Sequence, residues 1–216
     1  QFFSRFGQDQ LGDVMIKDIA AEGVDISTAK RVPFFTGAMV RNPGKDAPVE
    51  TTYLRKGSAA STIEAADIKD EFIKDARWVH TTGITCAISE SGAKSVAHAL
   101  NRANALGVKS SFDLNLRRKL WSDEAAAKTL NPLANNVEFL IGGEDEYQVV
   151  FGSADAKKVL AQANDLGCKI AVMTKGDQVM RFSIDGQYQE LTPPKVVTVD
   201  PVAQVMLLPA AQLPDY

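Results

Sequence analysis

Apolar and polar positions along this chain alternate between two rhythms. The run from Trp78 to Gly83 reads as a strand, and residues 91–106 follow with an alanine-rich helical period closed by Gly107. Residues 109–114 are the next strand, and 123–133 the next helix with Ser122 as its N-cap. Phe139 to Ile141 is again a strand and 144–151 a short helix. A helix over 154–166 ends at Gly167, before a strand over 170–174. This order predicts an α/β fold: a mainly parallel sheet covered by helices on both faces. Right-handed crossovers then bring the strand C-termini to one edge, where such sheets bind ligands.

Two segments break the rhythm. Residues 35–40 and 49–54 are both extended, and Asn42-Pro43-Gly44-Lys45-Asp46 joins them through a polar turn. A hairpin without a helix partner is expected to project from the body as a β-flap, or lid, over residues 34–61. Residues 1–33 and 62–202 then form the α/β body. A second hairpin, 180–183 and 187–191, turns through Ile184-Asp185-Gly186. There is no internal repeat and no low-complexity stretch.

Composition narrows the class. The 216 residues are 45% hydrophobic and 24% charged, the balance of an ordinary globular domain. A net charge of −3 gives no basic footprint for nucleic acid. No apolar run approaches the roughly 20 residues that span a bilayer, so no membrane partner is expected. Residues 1–6 lack the pattern of a signal peptide. Cys86 and Cys168 lie far apart with no metal-like spacing, and read as buried thiols of a cytoplasmic protein.

Four clusters can carry chemistry. Tyr53 and Arg55 alternate onto one face at the end of the flap strand, with Leu54 on the other. A guanidinium there suits a carboxylate, yet an exposed Tyr and Arg on a strand is commonly just surface. Asp113, Asn115 and Arg117 follow an apolar strand on the presumed ligand edge, where site chemistry and simple loop chemistry are equally good readings. Glu144, Asp145 and Glu146 open a helix, where acidic residues stabilise the helix dipole or organise a magnesium ion with its waters. Thr174-Lys175-Gly176-Asp177 ends a strand with a tight turn that a nucleotide can approach. His80 and His98 have no evident partner and read as packing or surface residues.

Taken in order, these clusters resemble the PfkB (ribokinase-like) carbohydrate kinases over residues 1–202. The carriers are Phe6-Gly7-Gln8-Asp9-Gln10-Leu11-Gly12, which resembles a G-x-D-x-x-G turn, and Glu22-Gly23-Val24-Asp25. Arg55-Lys56-Gly57-Ser58-Ala59-Ala60-Ser61, Gly83-Ile84-Thr85 and Phe112-Asp113-x-Asn115-x-Arg117-x-x-Leu120-Trp121 are similar to the 2-keto-3-deoxygluconate kinases within that family. The resemblance implies a three-layer ribokinase-like sandwich, incomplete at both ends. It implies sugar-acid contacts from Tyr53, Arg55, Arg117 and the backbone of Ile84. It further implies an ATP-binding side formed by Asn115, Glu146, Thr174 and Gly176, with Glu146 serving Mg2+. The partners are then a small sugar acid and ATP, with a homodimer through the flap.

The departures are specific. Met39 stands where these kinases usually carry Tyr, Gly143 replaces the frequent Asn of N-x-x-E, and Val179 replaces a second Gly. The chain opens on Gln1 inside what reads as a strand, so the family's first strand and its Gly-Gly-x-x-x-Asn sugar loop are expected upstream. The Gly-Ala-Gly-Asp motif is expected just after Val202, its helix N-terminus cradling phosphate charge and its Asp acting as general base. Ala203-Gln204-Val205-Met206-Leu207-Leu208 stands there instead, leaving no catalytic residue assigned. Ala-Gln-Val-Met-Leu-Leu can be written in codons that, with one extra G in front, read Gly-Ala-Gly-Asp-Ala-Phe in the other frame. Residues 203–216 are therefore expected to be an out-of-frame tail, irregular because of Pro209 and Pro214, and the chain as written inactive. The alternatives are a non-catalytic remnant, or a kinase for 5-dehydro-2-deoxygluconate or fructose.

Overall fold

The computed structural model describes residues 1–42, 50–135, 137–176 and 178–193. The flap turn at 43–46, Asp177 and the whole of 203–216 lie outside the described residues.

Strand β1 (Arg5–Gly7) leads into helix α1 (Gln10–Ala21) and pairs in parallel with β2 (Lys30–Val32). The flap follows as β3 (Ala38–Asn42) and β4 (Glu50–Leu54), antiparallel, with Met39 opposite Tyr53. Two 3-10 turns (Ala59–Thr62 and Ala65–Asp67) and helix α2 (Asp70–Ile73) lead back to the body. The body continues as β5 (Trp78–Thr82), α3 (Gly83–Ile88), α4 (Glu90–Ala105), β6 (Lys109–Asp113) and α5 (Asp123–Leu133). It closes with β7 (Phe139–Gly143), α6 (Glu144–Phe151), α7 (Ala156–Asp165), β8 (Ile170–Thr174), β9 (Met180–Ile184) and β10 (Gln187–Leu191).

The main sheet runs β10-β9-β8-β7-β6-β5. Strands β5 to β8 are parallel, while β9 and β10 form an antiparallel edge. This is the mainly parallel α/β sheet that the alternating rhythm predicts. Helix boundaries follow local chemistry. Ser122 Oγ accepts the Ala125 amide at 3.3 Å, and Asp155 rather than Ala154 caps α7 by accepting the Lys158 amide.

One contiguous core joins Phe112, Leu140, Ala171 and Met173 of the sheet to α4, α5, α6 and α7. Burying Phe112, Leu140 or Met173 contributes about 1.5–3 kcal/mol over leaving it exposed. The helices on both faces expected from the sequence are not both present among the described residues. The opposite face, with Phe139, Ile141, Ile170 and Phe182, is only partly buried, and Trp78 and Ile184 are exposed on it. A continuous apolar run such as Phe139-Leu140-Ile141 suits a strand covered on both sides, so the pattern alone does not reveal this asymmetry.

Three local expectations change. The flap's first strand begins at Ala38 rather than Phe35, because Asp9 takes the Thr36 amide and hydroxyl. Strand β5 stops at Thr82, and Gly83 already starts a helix that the sequence reading missed. His80 and His98 are not partnerless: His80 Nδ1 lies 2.8 Å from Ser111 Oγ, and His98 Nε2 lies 3.2 Å from the Ile68 carbonyl oxygen. Both contacts cross about 30 residues of sequence, which no local pattern discloses.

Candidate functional site

Strands β6, β7 and β8 end side by side, and their last residues carry the polar groups. A cavity of about 360 Å³ opens there, lined by His80, Asp113, Gly143, Glu146 and Thr174 among others. Thr174 donates to the Gly142 carbonyl at 3.4 Å, and Gly176 two residues on has φ +57°. That left-handed conformation suits glycine, which puts no side chain at this position of the turn. Lys175 is held beside the turn by Glu144 at 2.7 Å.

Glu146 is the strut of this edge. One carboxylate oxygen accepts the Leu116 amide at 2.6 Å, and the other accepts the Gly143 amide at 2.7 Å. Burial pushes its carboxyl above the ordinary range, although both backbone amides favour the charged form. Burial likewise raises Asp113, against the favourable charge of His80 and hydrogen bonding from Asn115. Asn115 itself sits at φ +40°, with a buried Oδ1 that no described group satisfies. Sparsely populated backbone of this kind is held in place by its surroundings, and here it turns the chain sharply after β6.

A second cleft, about 290 Å³, lies between the flap and the segment after β6. It is lined by Thr51, Tyr53, Leu116, Arg117, Arg118 and Lys119. Lys119 reaches across and donates to the Thr51 carbonyl at 2.8 Å, joining flap to body. Arg118 is engaged by Asp123 at 2.8 Å and Asp145 at 3.1 Å. Arg117 donates to its neighbour's carbonyl at 3.2 Å. The Arg55 guanidinium lies over the Tyr53 ring, 4.7 Å from its centre. Tyr53 and Arg117 thus share one cleft, while Arg55 reaches it only through Tyr53. Ile84 follows Gly83, whose missing side chain lets α3 press against the Leu114 carbonyl oxygen. That contact places Ile84 beside the segment leading to Asn115 and Arg117.

The sequence reading missed Thr51, Arg118 and Lys119 on this cleft. The run Arg117-Arg118-Lys119 was a visible signal, since three successive cations are costly without an anion nearby. Nothing local marked Thr51 or the role of His80.

A mainly parallel sheet with paired cavities at its strand ends and a hairpin beside them defines a ribokinase-like α/β protein. The family model described as pfkB family carbohydrate kinase matches residues 1–203, and the chain belongs to that family. It is 33% identical over 154 residues to a 2-dehydro-3-deoxygluconokinase of Bacillus subtilis (strain 168), covering 70% of this chain and 48% of that one. It is 32% identical over 181 residues to the 2-dehydro-3-deoxygluconokinase of Thermoproteus tenax, covering 80% and 54%. The chain thus spans about half the length of these curated relatives. A solved PfkB protein from Polaromonas sp. JS666 superposes with a TM-score of 0.84 at 30% identity, covering 89% of this chain and 66% of that one.

Proposed function

We propose that the protein is part of an ATP-dependent kinase that phosphorylates an acidic sugar, 2-keto-3-deoxygluconate (2-dehydro-3-deoxygluconate). The observation that carries this reading is the cationic cleft under the flap, where Arg117, Arg118 and Lys119 stand with Tyr53. Asp123 and Asp145 take up the Arg118 charge, but a neutral sugar would gain little from the Arg117 guanidinium and the Lys119 ammonium, whereas a carboxylate gains charge-assisted hydrogen bonds. The kinship with two 2-dehydro-3-deoxygluconokinases supports the same substrate class.

In this reading Arg117 holds the sugar carboxylate, the Tyr53 hydroxyl closes over it from the flap with Arg55 behind its ring, and the Ile84 backbone bonds a sugar hydroxyl. ATP lies along the strand ends, with Thr174 and Gly176 on its side and Asn115 near its phosphates. No described group of three His, Cys, Asp or Glu side chains gathers to wrap a metal ion. Mg2+ keeps most of its waters beside phosphates, however, and Glu146 retains a free lone pair on each oxygen to accept from such waters. When bound, the ion would neutralise phosphate charge; Glu146 itself positions the Leu116 and Gly143 backbone. Phosphoryl transfer then depends on alignment of the sugar hydroxyl with the γ-phosphorus, and water is excluded by the flap.

Residues 1–216 contain no Gly-Ala-Gly-Asp, so none of them is assigned the general base. We attribute this to a one-base shift after Val202, which resequencing codons 200–206 tests. Among the described residues no helix is long and apolar enough to cross a membrane. We place the reaction in the cytoplasm, where ATP is available. The outer flap face exposes Val40 and Leu54, and we infer that it pairs with a second subunit's flap.

The test is ATP-dependent ADP release by the purified protein, expressed from its resequenced gene. Turnover with 2-keto-3-deoxygluconate exceeding that with fructose supports the reading, and the reverse order contradicts it.

A further inference from the structure

The Gly7–Gly12 turn has no task in the reaction just described, and the structure ties it to the flap. Asp9 caps α1, its Oδ1 accepting the Gly12 amide at 2.7 Å. The same oxygen accepts the Thr36 hydroxyl at 2.7 Å, and Oδ2 accepts the Thr36 amide at 2.7 Å. Thr36 Oγ1 in turn accepts the Gly7 amide at 2.9 Å. Thr36 is buried and stands two residues before β3. A side chain at Gly7 would collide with the Phe34 carbonyl and the Thr36 amide, and one at Gly12 with Gly7 and the Thr36 hydroxyl. Gly7 is needed because the incoming foot of the flap crosses this turn at backbone contact, and Gly12 because the turn folds the Gly7 carbonyl against it beside the Thr36 hydroxyl. The outgoing foot joins the same knot, since the Ala59 amide donates to the Phe35 carbonyl at 2.8 Å.

A two-stranded hairpin is marginal on its own. The flap pairs with no other strand among the described residues, so its order and its angle depend on how its feet are fixed. Hydrogen bonds to a carboxylate are the strong kind, and those from Thr36 and Gly12 hold the Asp9 carboxyl below its ordinary value.

We propose that Asp9 is the positioning residue of the flap: its carboxylate fixes Thr36 and thereby sets how Tyr53 is presented to Arg117. The consequence for the sugar rests on the function proposed above, but the device itself does not.

Asp9→Asn separates the two tasks of this residue. Asn caps a helix as well as Asp does, so Oδ1 keeps the Gly12 amide. The new Nδ2 faces the Thr36 amide donor to donor, and that buried N–H is orphaned. Hydrogen–deuterium exchange of the purified protein reads the result. Peptides covering 38–42 and 50–54 should exchange roughly tenfold faster or more, with α1 and β6 unchanged. Thr36→Val should accelerate the same peptides, while Thr36→Ser, which keeps the hydroxyl, should restore wild-type exchange. The Thr36 pair carries the test if Asp9→Asn fails to fold. Flap exchange unchanged in Asp9→Asn, acceleration spread evenly over α1 and the main sheet, or Thr36→Val and Thr36→Ser behaving alike would each overturn the proposal. A loosened flap with undiminished affinity for 2-keto-3-deoxygluconate keeps Asp9 as the pivot and removes the flap from the substrate reading instead.

Discussion

The Glu146 carboxylate accepts the Leu116 amide at 2.6 Å, so a residue of α6 fixes the segment that carries Arg117. Its other oxygen holds Gly143 at 2.7 Å, and the two cavities at the sheet edge therefore share one strut. Glu146→Gln keeps the shape but turns one acceptor into a donor that faces an amide. It should lower stability by about 1–3 kcal/mol, the cost of an orphaned buried donor. Denaturant unfolding checks this, and an unchanged midpoint would mean that the strut carries no weight.

Asp67 is the buried anion of the β1 side, 2.6 Å from Arg5 and 2.5 Å from Lys30. Burial alone would raise its carboxyl. The Lys30 bond, the Glu64 amide and the Arg5 charge outweigh that and leave it lowered. A carboxyl lowered by folding adds stability that is complete above its unfolded value of about 3.9 and is lost as pH falls through the folded one. Asp67→Asn should therefore cost roughly 3 kcal/mol at pH 7, the low end for breaking a buried pair. The two proteins should converge in strong acid. Parallel stability curves from pH 7 down to about pH 2 would show that Asp67 is not what the acid limb reports.

Arg117→Ala should weaken binding of 2-keto-3-deoxygluconate by about 2–3 kcal/mol, tens- to a hundredfold, as expected for losing a charge-assisted contact. Affinity for ATP and for a neutral sugar should hardly change. Calorimetric titration separates these outcomes. Equal weakening for charged and neutral sugars would mean that Arg117 shapes the loop without reading the carboxylate.

Much of the body was legible because its signals are local. The cap Ser122, the stops Gly107 and Gly167, and the strand–helix alternation are all set within a few residues. The flap was legible as a hairpin but not in its start, because Thr36 is claimed by Asp9, 27 residues earlier, and the Phe35 carbonyl by the Ala59 amide. The site was read in part. Arg117, Glu146 and Thr174 lie where strands end, a position that topology predicts. Lys119 joining Thr51, and His80 meeting Ser111, are contacts between distant segments and leave no mark in sequence periodicity. The uneven cover of the sheet was hidden for another reason: apolar residues on both sides of β7 look the same whether or not both sides are packed.

The central claim is that the cleft between Tyr53 and Arg117 takes an acidic sugar. The most direct measurement is titration of the purified protein with 2-keto-3-deoxygluconate and with fructose, at low and at high salt. The acid should bind at least roughly tenfold tighter, and its advantage should shrink as salt screens the cleft's cations. Fructose binding equally well, or an acid preference that salt leaves untouched, would contradict it.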